Sequence, residues 1–280
     1  MPDFKIGVII DSFGVPFEEA IKKAAAIGAE GIQLYATSGR MAPENLNAAQ
    51  RKEILDYITS NGLEVAAVCG DLGGHGFIHA ADNPKKVEKS KRIIELALEL
   101  GTNVVTTHIG VVPDDKASEK YRVLHDACKE LGDFAEKNGA YFAIETGPEP
   151  AETLGAFIES LGNKGIAVNL DPANLIMVTG DDPVKAVHTL KNHIVHTHAK
   201  DGVMLRKVSP LAVYEGLKEP GGEGPSYKEV PLGQGSVDFK AYLVALKTIG
   251  YKGYLTIERE TGKDPAADIA AAVNFLRALI

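Results

Sequence analysis

Eight short runs rich in β-branched residues alternate along this chain with longer amphipathic stretches. Such alternation is typical of repeated βα units, in which each strand runs parallel to the one before it. Because the crossovers between parallel strands are right-handed, eight units predict an α/β fold, a closed (β/α)8 barrel. A doubly wound open sheet is the alternative, but no GxGxxG turn follows the first run.

Local composition and punctuation place the individual elements. The strands are expected at Lys5 to Ile10, Gly31 to Tyr35, Glu64 to Cys69, Asn103 to His108, Tyr141 to Glu145, Ile166 to Leu170, His193 to His198 and Gly253 to Glu258. Helical periodicity is clearest at Phe17 to Ile27, Ala48 to Ser60, Lys85 to Leu100, Ser118 to Lys137 and Asp264 to Ala278. Gly28, Gly101 and Gly250 follow predicted helices as left-handed C-caps immediately before the next strand.

Length and composition limit the classes of protein that this chain fits. Its 280 residues, 45% of them hydrophobic, predict one barrel domain spanning 1–280. The formal charge is −8 and no Lys/Arg cluster is interleaved with aromatics, which disfavours a nucleic-acid partner. No apolar run approaches the roughly 20 residues of a membrane-spanning helix, and the first residues do not form a signal peptide. We therefore expect a cytoplasmic protein with no membrane partner.

Acidic or imidazole side chains lie at the ends of the last four predicted strands. They are Glu145, Asp171, His198 and Glu258. Side chains along a strand face alternate sides, and apolar neighbours such as Ile144 occupy the phase expected to face the helices. All four polar residues therefore fall on the inward phase. Because the carboxyl ends of parallel strands meet at one mouth of a barrel, we expect these side chains to converge there.

Three carboxylates that converge at a partly buried mouth repel one another unless a cation balances their charge. An oxygen-rich set with one imidazole suits Mn²⁺, Mg²⁺ or Co²⁺, and Zn²⁺ is also compatible. The sequence therefore predicts one divalent metal ion. Two alternatives stay open. Each acid taken alone is typical of a helix N-cap or a solvated loop, and His196 competes with His198, which we prefer because it lies nearer the mouth.

Five segments together resemble a known family. They are AIETGPEPAETL, VNLDPANLIMVTGDDP, IVHTHAKD, EVPLGQGSVDF and YLTIERE. In this order they resemble the sugar phosphate isomerase/epimerase family of xylose-isomerase-like TIM barrels, which includes the tagatose 3-epimerase type. The resemblance spans nearly the whole chain. It implies one divalent metal bound by the equivalents of Glu145, Asp171, His198 and Glu258.

The resemblance also implies proton transfer next to a carbonyl, through a metal-stabilised enediolate. Glu145 and Glu258 are then the catalytic residues, one removing and the other returning a proton from opposite faces of the substrate. Inversion at one carbon makes the enzyme an epimerase, whereas transfer between adjacent carbons makes it an aldose–ketose isomerase. The expected partner is a small-molecule sugar or sugar phosphate. Relatives are often dimers or tetramers, so a homo-oligomer is compatible with the family.

Substrate contacts are predicted at five positions. His108 ends the fourth strand on the inward phase, and His75 lies in a Gly-rich loop where backbone can approach a ligand. Lys200 is a candidate for orienting His198 or the substrate. Tagatose-3-epimerase-like members carry a His three residues after the sixth-strand Asp, where this chain has Asn174. They also carry an Arg after the seventh-strand His, for which Arg206 and Lys207 are the nearest candidates, slightly displaced.

Two further predictions concern the loops. The stretch between Asp201 and Val237 is rich in Gly and Pro, which predicts a long loop without secondary structure on the catalytic face, consistent with a lid. Glu149, close behind Glu145, is a candidate substrate contact, but a solvated loop is the preferred interpretation.

Two rival functions use related barrels. An endonuclease IV-like abasic-site nuclease needs several metals, a His where this chain has Asn174, and an Asp-x-His pair that is absent after Asp201. An inosose-dehydratase-like lyase would use the same single metal site for elimination.

Overall fold

The computed structural model describes residues 4–218 and 224–280. Eight parallel strands close into a barrel. In chain order they are β1 (Lys5–Ile9), β2 (Gly31–Tyr35), β3 (Glu64–Cys69), β4 (Val104–Thr107), β5 (Tyr141–Glu145), β6 (Ile166–Leu170), β7 (Ile194–Ala199) and, as the eighth barrel strand, β10 (Tyr254–Ile257). Two further strands, β8 (Asp201–Met204) and β9 (Tyr227–Val230), pair antiparallel outside the barrel. The predicted (β/α)8 fold is confirmed.

Helices surround the barrel between the strands. They are α1 (Phe17–Ala26), α2 (Ala48–Ser60), α3 (Asn83–Glu99), α4 (Glu119–Lys137), α5 (Ala151–Leu161), α6 (Pro172–Asn174), α7 (Pro183–Thr189), α8 (Pro210–Tyr214), α9 (Phe239–Thr248) and α10 (Pro265–Arg277). A π-helical segment, Leu175–Thr179, continues directly from α6. The described part of the chain has no helix both long and apolar enough to cross a membrane.

Side-chain alternation separates two apolar layers, as predicted. Phe142 and Ile144 of β5 belong to the large core that packs strands against helices. Ala143, between them, belongs instead to a small cluster with Ala67 and Ala167 inside the barrel. Small side chains therefore dominate this interior layer. Nearer the carboxyl ends of the strands, the residues that also face the interior are polar. This phase brings Glu145 into the mouth.

The prediction that the stretch after β7 lacks secondary structure is wrong. This stretch contains the β8–β9 hairpin and the short helix α8. The carboxylate of Asp201 organises it, because its two oxygens accept backbone N–H groups from Gly202, Gly233, Gly235 and Val237 at 2.9 to 3.1 Å. Four such bonds give a Gly-rich segment the order that its composition does not suggest. The lid prediction falls partly on 219–223, which lie outside the described residues.

Several strand ends differ from the predicted ones by one residue. His108 and Glu258 each lie immediately after the end of their strand, and β7 extends one residue further, to Ala199. The side chains of His108 and Glu258 still line the cavity at the mouth, and the backbone N–H of Glu258 donates to the carbonyl of Ala199 at 3.2 Å.

Candidate metal centre and substrate mouth

Four side chains converge at the carboxyl end of the barrel. Glu145, Asp171, His198 and Glu258 are all buried, and each offers one ligand atom such that these atoms lie within 4.8 Å of one another. Neighbouring strands β5, β6, β7 and β10 supply them in sequence order. Within the described ranges this is the one group of three or more His, Cys, Asp or Glu side chains close enough to hold a metal ion.

His198 turns its Nδ1 atom towards the three carboxylates. This atom lies 3.1 Å from Oε2 of Glu258, and 3.6 Å from both Oε2 of Glu145 and Oδ2 of Asp171. On the far side of the ring, Nε2 lies 3.2 Å from Oε1 of Gln33. Gln33 is buried on the interior phase of β2, and its own Nε2 donates to Thr106. Sequence reasoning missed Gln33, although a lone polar residue inside GIQLY was its signal.

Asp171 serves two purposes. Its Oδ1 accepts the backbone N–H of Asn174 at 2.8 Å and so caps α6. Its Oδ2 is fully buried and has no hydrogen-bond partner, whereas buried carboxylate oxygens normally have one. The helix N-cap alternative is therefore met by Oδ1 of Asp171, and the predicted role as a metal ligand concerns Oδ2. Oδ2 is the atom that a cation would satisfy.

The two glutamates have different hydrogen-bond partners. Glu145 accepts from the amides of Asn174 (2.8 Å, to Oε1) and Asn169 (3.1 Å, to Oε2). Glu258 accepts from the ammonium of Lys200 at 3.1 Å. Burial alone would raise the pKa of Glu258, but Lys200 and His198 beside it hold that pKa well below its usual range. Neutral amide donors therefore orient Glu145, whereas the buried ammonium of Lys200 helps to keep Glu258 ionised.

The chemistry of the donor set fits a divalent cation. Burial raises the pKa of Asp171 to about 6, and the neighbouring Glu145 and Glu258 also raise it, while His198 and Lys200 lower it. Bringing three acids together in this way is unfavourable without positive charge. Three carboxylates and one imidazole match the ligands preferred by Mg²⁺, Mn²⁺ and similar ions.

A cavity of about 210 Å³ opens above these residues. His108, on its wall, donates a hydrogen bond from Nδ1 to Oδ2 of Asp71 (3.3 Å), and its Nε2 lies 3.7 Å from Oε1 of Glu145. Burial lowers the pKa of His108, but Glu145 and Asp71 outweigh it and raise that pKa to about 9. Tyr214 of α8 covers His108, with 5.5 Å between ring centroids. Sequence reasoning missed both Asp71 and Tyr214, because each comes from a loop or helix remote in sequence.

The structure brings some of the predicted substrate contacts to the mouth and not others. His108, Asn174 and Lys200 line the cavity together with all of the candidate ligands except the deeper Asp171. His75 does not line it; the side chain is exposed and packs edge-on against His79. Arg206 lines a separate surface depression and donates to the carbonyl of Gly224.

His196 lies below the metal centre. Its ring centroid is 6.0 Å from that of His198, and it contributes to another cavity with Asn103 and Tyr254, which lie at the amino ends of their strands. Burial lowers the pKa of His196 well below its usual range. The imidazole that faces the three carboxylates is therefore that of His198.

The expectation of a solvated Glu149 is wrong. The residue is 4% exposed, and one of its oxygens accepts the N–H of Val112 at 3.4 Å. Burial raises its pKa to about 8. The short TGPEP loop folds back against the β4–α4 loop, so the side chain of Glu149 points inward. Sequence patterns do not distinguish a loop of this kind from one that faces solvent.

The family is settled by a match over most of the chain. Residues 21–279 match the model of the family described as xylose isomerase-like TIM barrel. The chain belongs to this family. The resemblance predicted from its motifs is confirmed.

Individual relatives agree with this assignment. The chain is 26% identical over 275 residues to L-ribulose-5-phosphate 3-epimerase UlaE of Escherichia coli K12, covering 93% of this chain and 88% of that protein. A xylose isomerase domain protein from Planctomyces limnophilus superposes with a TM-score of 0.80 at 27% identity, covering 99% and 97% of the two chains. A xylose isomerase-like TIM barrel protein from Mycobacterium smegmatis, solved in complex with magnesium, shares the fold at 15% identity with a TM-score of 0.73, covering 99% and 96%.

Proposed function

We propose that this protein is a divalent-metal-dependent isomerase or epimerase that acts on a keto sugar or sugar phosphate. One observation carries the proposal: the buried quartet combines an ion-binding set with two glutamates, on β5 and just beyond β10, that reach the same cavity. The names of relatives such as the UlaE epimerase support the reaction class.

The quartet Glu145, Asp171, His198 and Glu258 would hold one ion, Mn²⁺, Mg²⁺ or Co²⁺ by preference of the donor set. When bound, such an ion supplies electrophilic stabilisation of negative charge that develops on a substrate carbonyl oxygen. Gln33 would suit His198 to this role. With a proton on Nε2 donated to the side-chain oxygen of Gln33, the lone pair of Nδ1 would be free to bind the ion.

The glutamates then move the proton. One carboxylate takes the proton from the carbon beside the carbonyl, and the electron pair of the broken C–H bond forms the enediolate. The other glutamate delivers a proton to the opposite face, which inverts the configuration. Delivery to the neighbouring carbon instead interconverts an aldose and a ketose. Lys200 keeps Glu258 ionised, whereas Asn169 and Asn174 orient Glu145.

Three further side chains are proposed to contact the substrate, because they line the same cavity. His108, held by Asp71, presents a ring nitrogen next to Glu145. Asn174 can donate to a hydroxyl as well as to Glu145, and the ammonium of Lys200 lies beside Glu258. These contacts would fix the carbonyl end of a sugar over the two glutamates.

Deuterium uptake tests the reaction class directly. The protein is stripped with EDTA, reloaded with Mn²⁺, Mg²⁺, Co²⁺ or Zn²⁺, and mixed in heavy water with a panel of ketoses and ketose phosphates. We expect metal-dependent incorporation of deuterium at the carbon next to the carbonyl, read by NMR. A protein that incorporates none with any sugar and any of the four metals would refute the proposal.

A further inference from the structure

Negative side chains dominate the wall of the substrate cavity. Asp71, Glu145, Glu258 and Glu260 contribute carboxylates to it, and the buried Asp171 lies beneath. The three candidate ligand carboxylates carry one negative charge more than a divalent ion would neutralise. The cavity thus keeps an acidic wall even with a metal in place. A phosphate group, which carries about −1.5 to −2 charges at neutral pH, would be repelled unless local cations receive it.

One lysine or arginine lines this cavity within the described ranges, and it is already paired. Lys200 is 4% exposed and donates to Oε2 of Glu258 at 3.1 Å and to Oε2 of Glu260 at 2.6 Å. Two carboxylates on one ammonium leave no net positive charge for a ligand anion. A phosphate would have to displace Glu260 from the ammonium, since Glu258 is needed at the metal centre.

His108 also lines this cavity, but its two ring nitrogens already lie 3.3 Å from a carboxylate oxygen of Asp71 and 3.7 Å from one of Glu145. Two arginines near this end of the barrel are directed elsewhere. Arg206 lines a separate depression. Arg259 is buried and bonded to Glu229 and to Asp268. The segment 219–223, with sequence EPGGE, contains no lysine or arginine. The described residues therefore place no cluster of lysine and arginine side chains at this cavity, of the kind that usually receives a phosphate group.

The rest of the wall suits a neutral sugar. Tyr35, Tyr214 and Tyr227 bring phenol groups to it, and burial raises the pKa of both Tyr35 and Tyr214, so these two stay neutral hydrogen-bond donors. Met177 and Val213 add apolar surface. At about 210 Å³ the cavity lies below the roughly 300 Å³ at which pockets for drug-sized ligands begin. A cavity of this size suits a small ligand.

We infer that the substrate is an uncharged monosaccharide ketose, and that Glu260, by occupying Lys200, selects against phosphorylated keto sugars. The inference rests on the proposed function and narrows it. Glu260 becomes a specificity-determining residue that acts through Lys200 and takes no part in the proton transfer. Its carboxylate is 55% exposed at the rim, where the end of a sugar remote from the metal would lie.

Paired substrates test the inference. Metal-loaded wild-type protein is titrated by calorimetry with D-fructose, D-ribulose and D-xylulose and with their terminal phosphates, and deuterium exchange is measured on the same pairs. We expect a free ketose to bind, and its kcat/KM for exchange to exceed that of its phosphate by about 100-fold, which corresponds to about 2.7 kcal/mol. Equal or tighter binding of the phosphates, or failure of every free ketose to bind, would overturn the inference.

The two readouts separate this inference from the proposed function. A free ketose that binds without exchanging its proton would refute the proposed reaction and leave the charge selection intact. A ketose phosphate that binds better and exchanges faster than its free sugar would refute the charge selection and leave the proposed reaction intact.

A charge-neutral variant tests the role of Glu260. Glu260→Gln removes one of the two carboxylates on Lys200, so the ratio of kcat/KM for a ketose phosphate to that for its free sugar should rise about threefold to fivefold, the size expected for a partly exposed ion pair. The matched control, Glu152→Gln, changes an exposed glutamate on α5 that does not line the cavity, and it should leave the ratio unchanged. An unchanged ratio in Glu260→Gln would contradict selection through Lys200.

Discussion

Gln33 and His198 lie 165 residues apart in sequence, and the amide oxygen of Gln33 is 3.2 Å from Nε2 of the imidazole. The amide nitrogen of Gln33 is bonded to Thr106, which fixes the orientation of the amide. When a metal ion is bound at Nδ1, the proton of the imidazole would remain on Nε2, where the amide oxygen of Gln33 can accept it. Partners of this kind commonly set the tautomer and basicity of a metal-binding histidine.

Replacing Gln33 by methionine, which keeps its length and removes the acceptor, should weaken divalent metal binding by about 10-fold to 100-fold. Calorimetric titration of the EDTA-treated protein with Mn²⁺ measures this. Gln234→Met, at an exposed loop position, is the control and should bind Mn²⁺ as the wild type does. Wild-type affinity in Gln33→Met would show that the tautomer is fixed by other means.

The two histidines of β7 can be distinguished by metal content. His198→Ala removes the imidazole that faces the three carboxylates, so bound Mn²⁺ measured by elemental analysis should fall to a small fraction of one equivalent. His196→Ala leaves a cavity towards the amino end of the barrel and should lower stability, yet retain the metal. Loss of metal from His196→Ala with retention in His198→Ala would reassign the ligand.

Asp201 is expected to stabilise the stretch that follows β7. Asparagine in its place keeps one acceptor oxygen and loses the charge, so two of the four backbone N–H groups lose their partner. Asp201→Asn should lower the free energy of unfolding by about 3 kcal/mol, since hydrogen bonds to charged groups contribute about 1.5–3 kcal/mol each. Chemical denaturation measures this. Asp126→Asn, at an exposed helix position, should change stability by less than about 0.5 kcal/mol.

Glu149 should make stability depend on pH. Its pKa is about 8 in the folded protein and near 4.5 when unfolded. Between these values the native state holds one proton more than the unfolded state, so stability falls as pH rises. The side chain in Glu149→Gln cannot ionise. From pH 5 to pH 9, the free energy of unfolding of this variant should therefore fall by on the order of 3 kcal/mol less than that of the wild type.

Urea denaturation of the Glu149→Gln and wild-type proteins at both pH values provides the measurement. Glu152→Gln, an exposed glutamate three residues further on, should follow the wild-type pH profile. Parallel profiles for Glu149→Gln and the wild type would show that Glu149 ionises normally in the native state.

Sequence patterns were sufficient for the barrel and for the residues that end its strands. The period-two alternation of β5 places Ile144 among the helices and turns Glu145 to the interior, and this local rule needs no knowledge of distant contacts. The same rule could not identify Gln33 as the partner of His198, because that contact depends on how β2 and β7 face each other across the closed barrel. Asp201 was underestimated for a similar reason: three of its four N–H partners, Gly233, Gly235 and Val237, come from the turns and loop after β9, whose geometry no periodicity encodes.

Proton transfer by two glutamates is the central claim, and deuterium exchange in Glu145→Gln and Glu258→Gln tests it most directly. Each variant keeps the size of the side chain and removes its ability to take or return a proton. With circular dichroism showing an intact fold and with saturating Mn²⁺, we expect exchange on the best ketose substrate to fall at least about 100-fold in each variant. Near-wild-type exchange in either variant would contradict the claim.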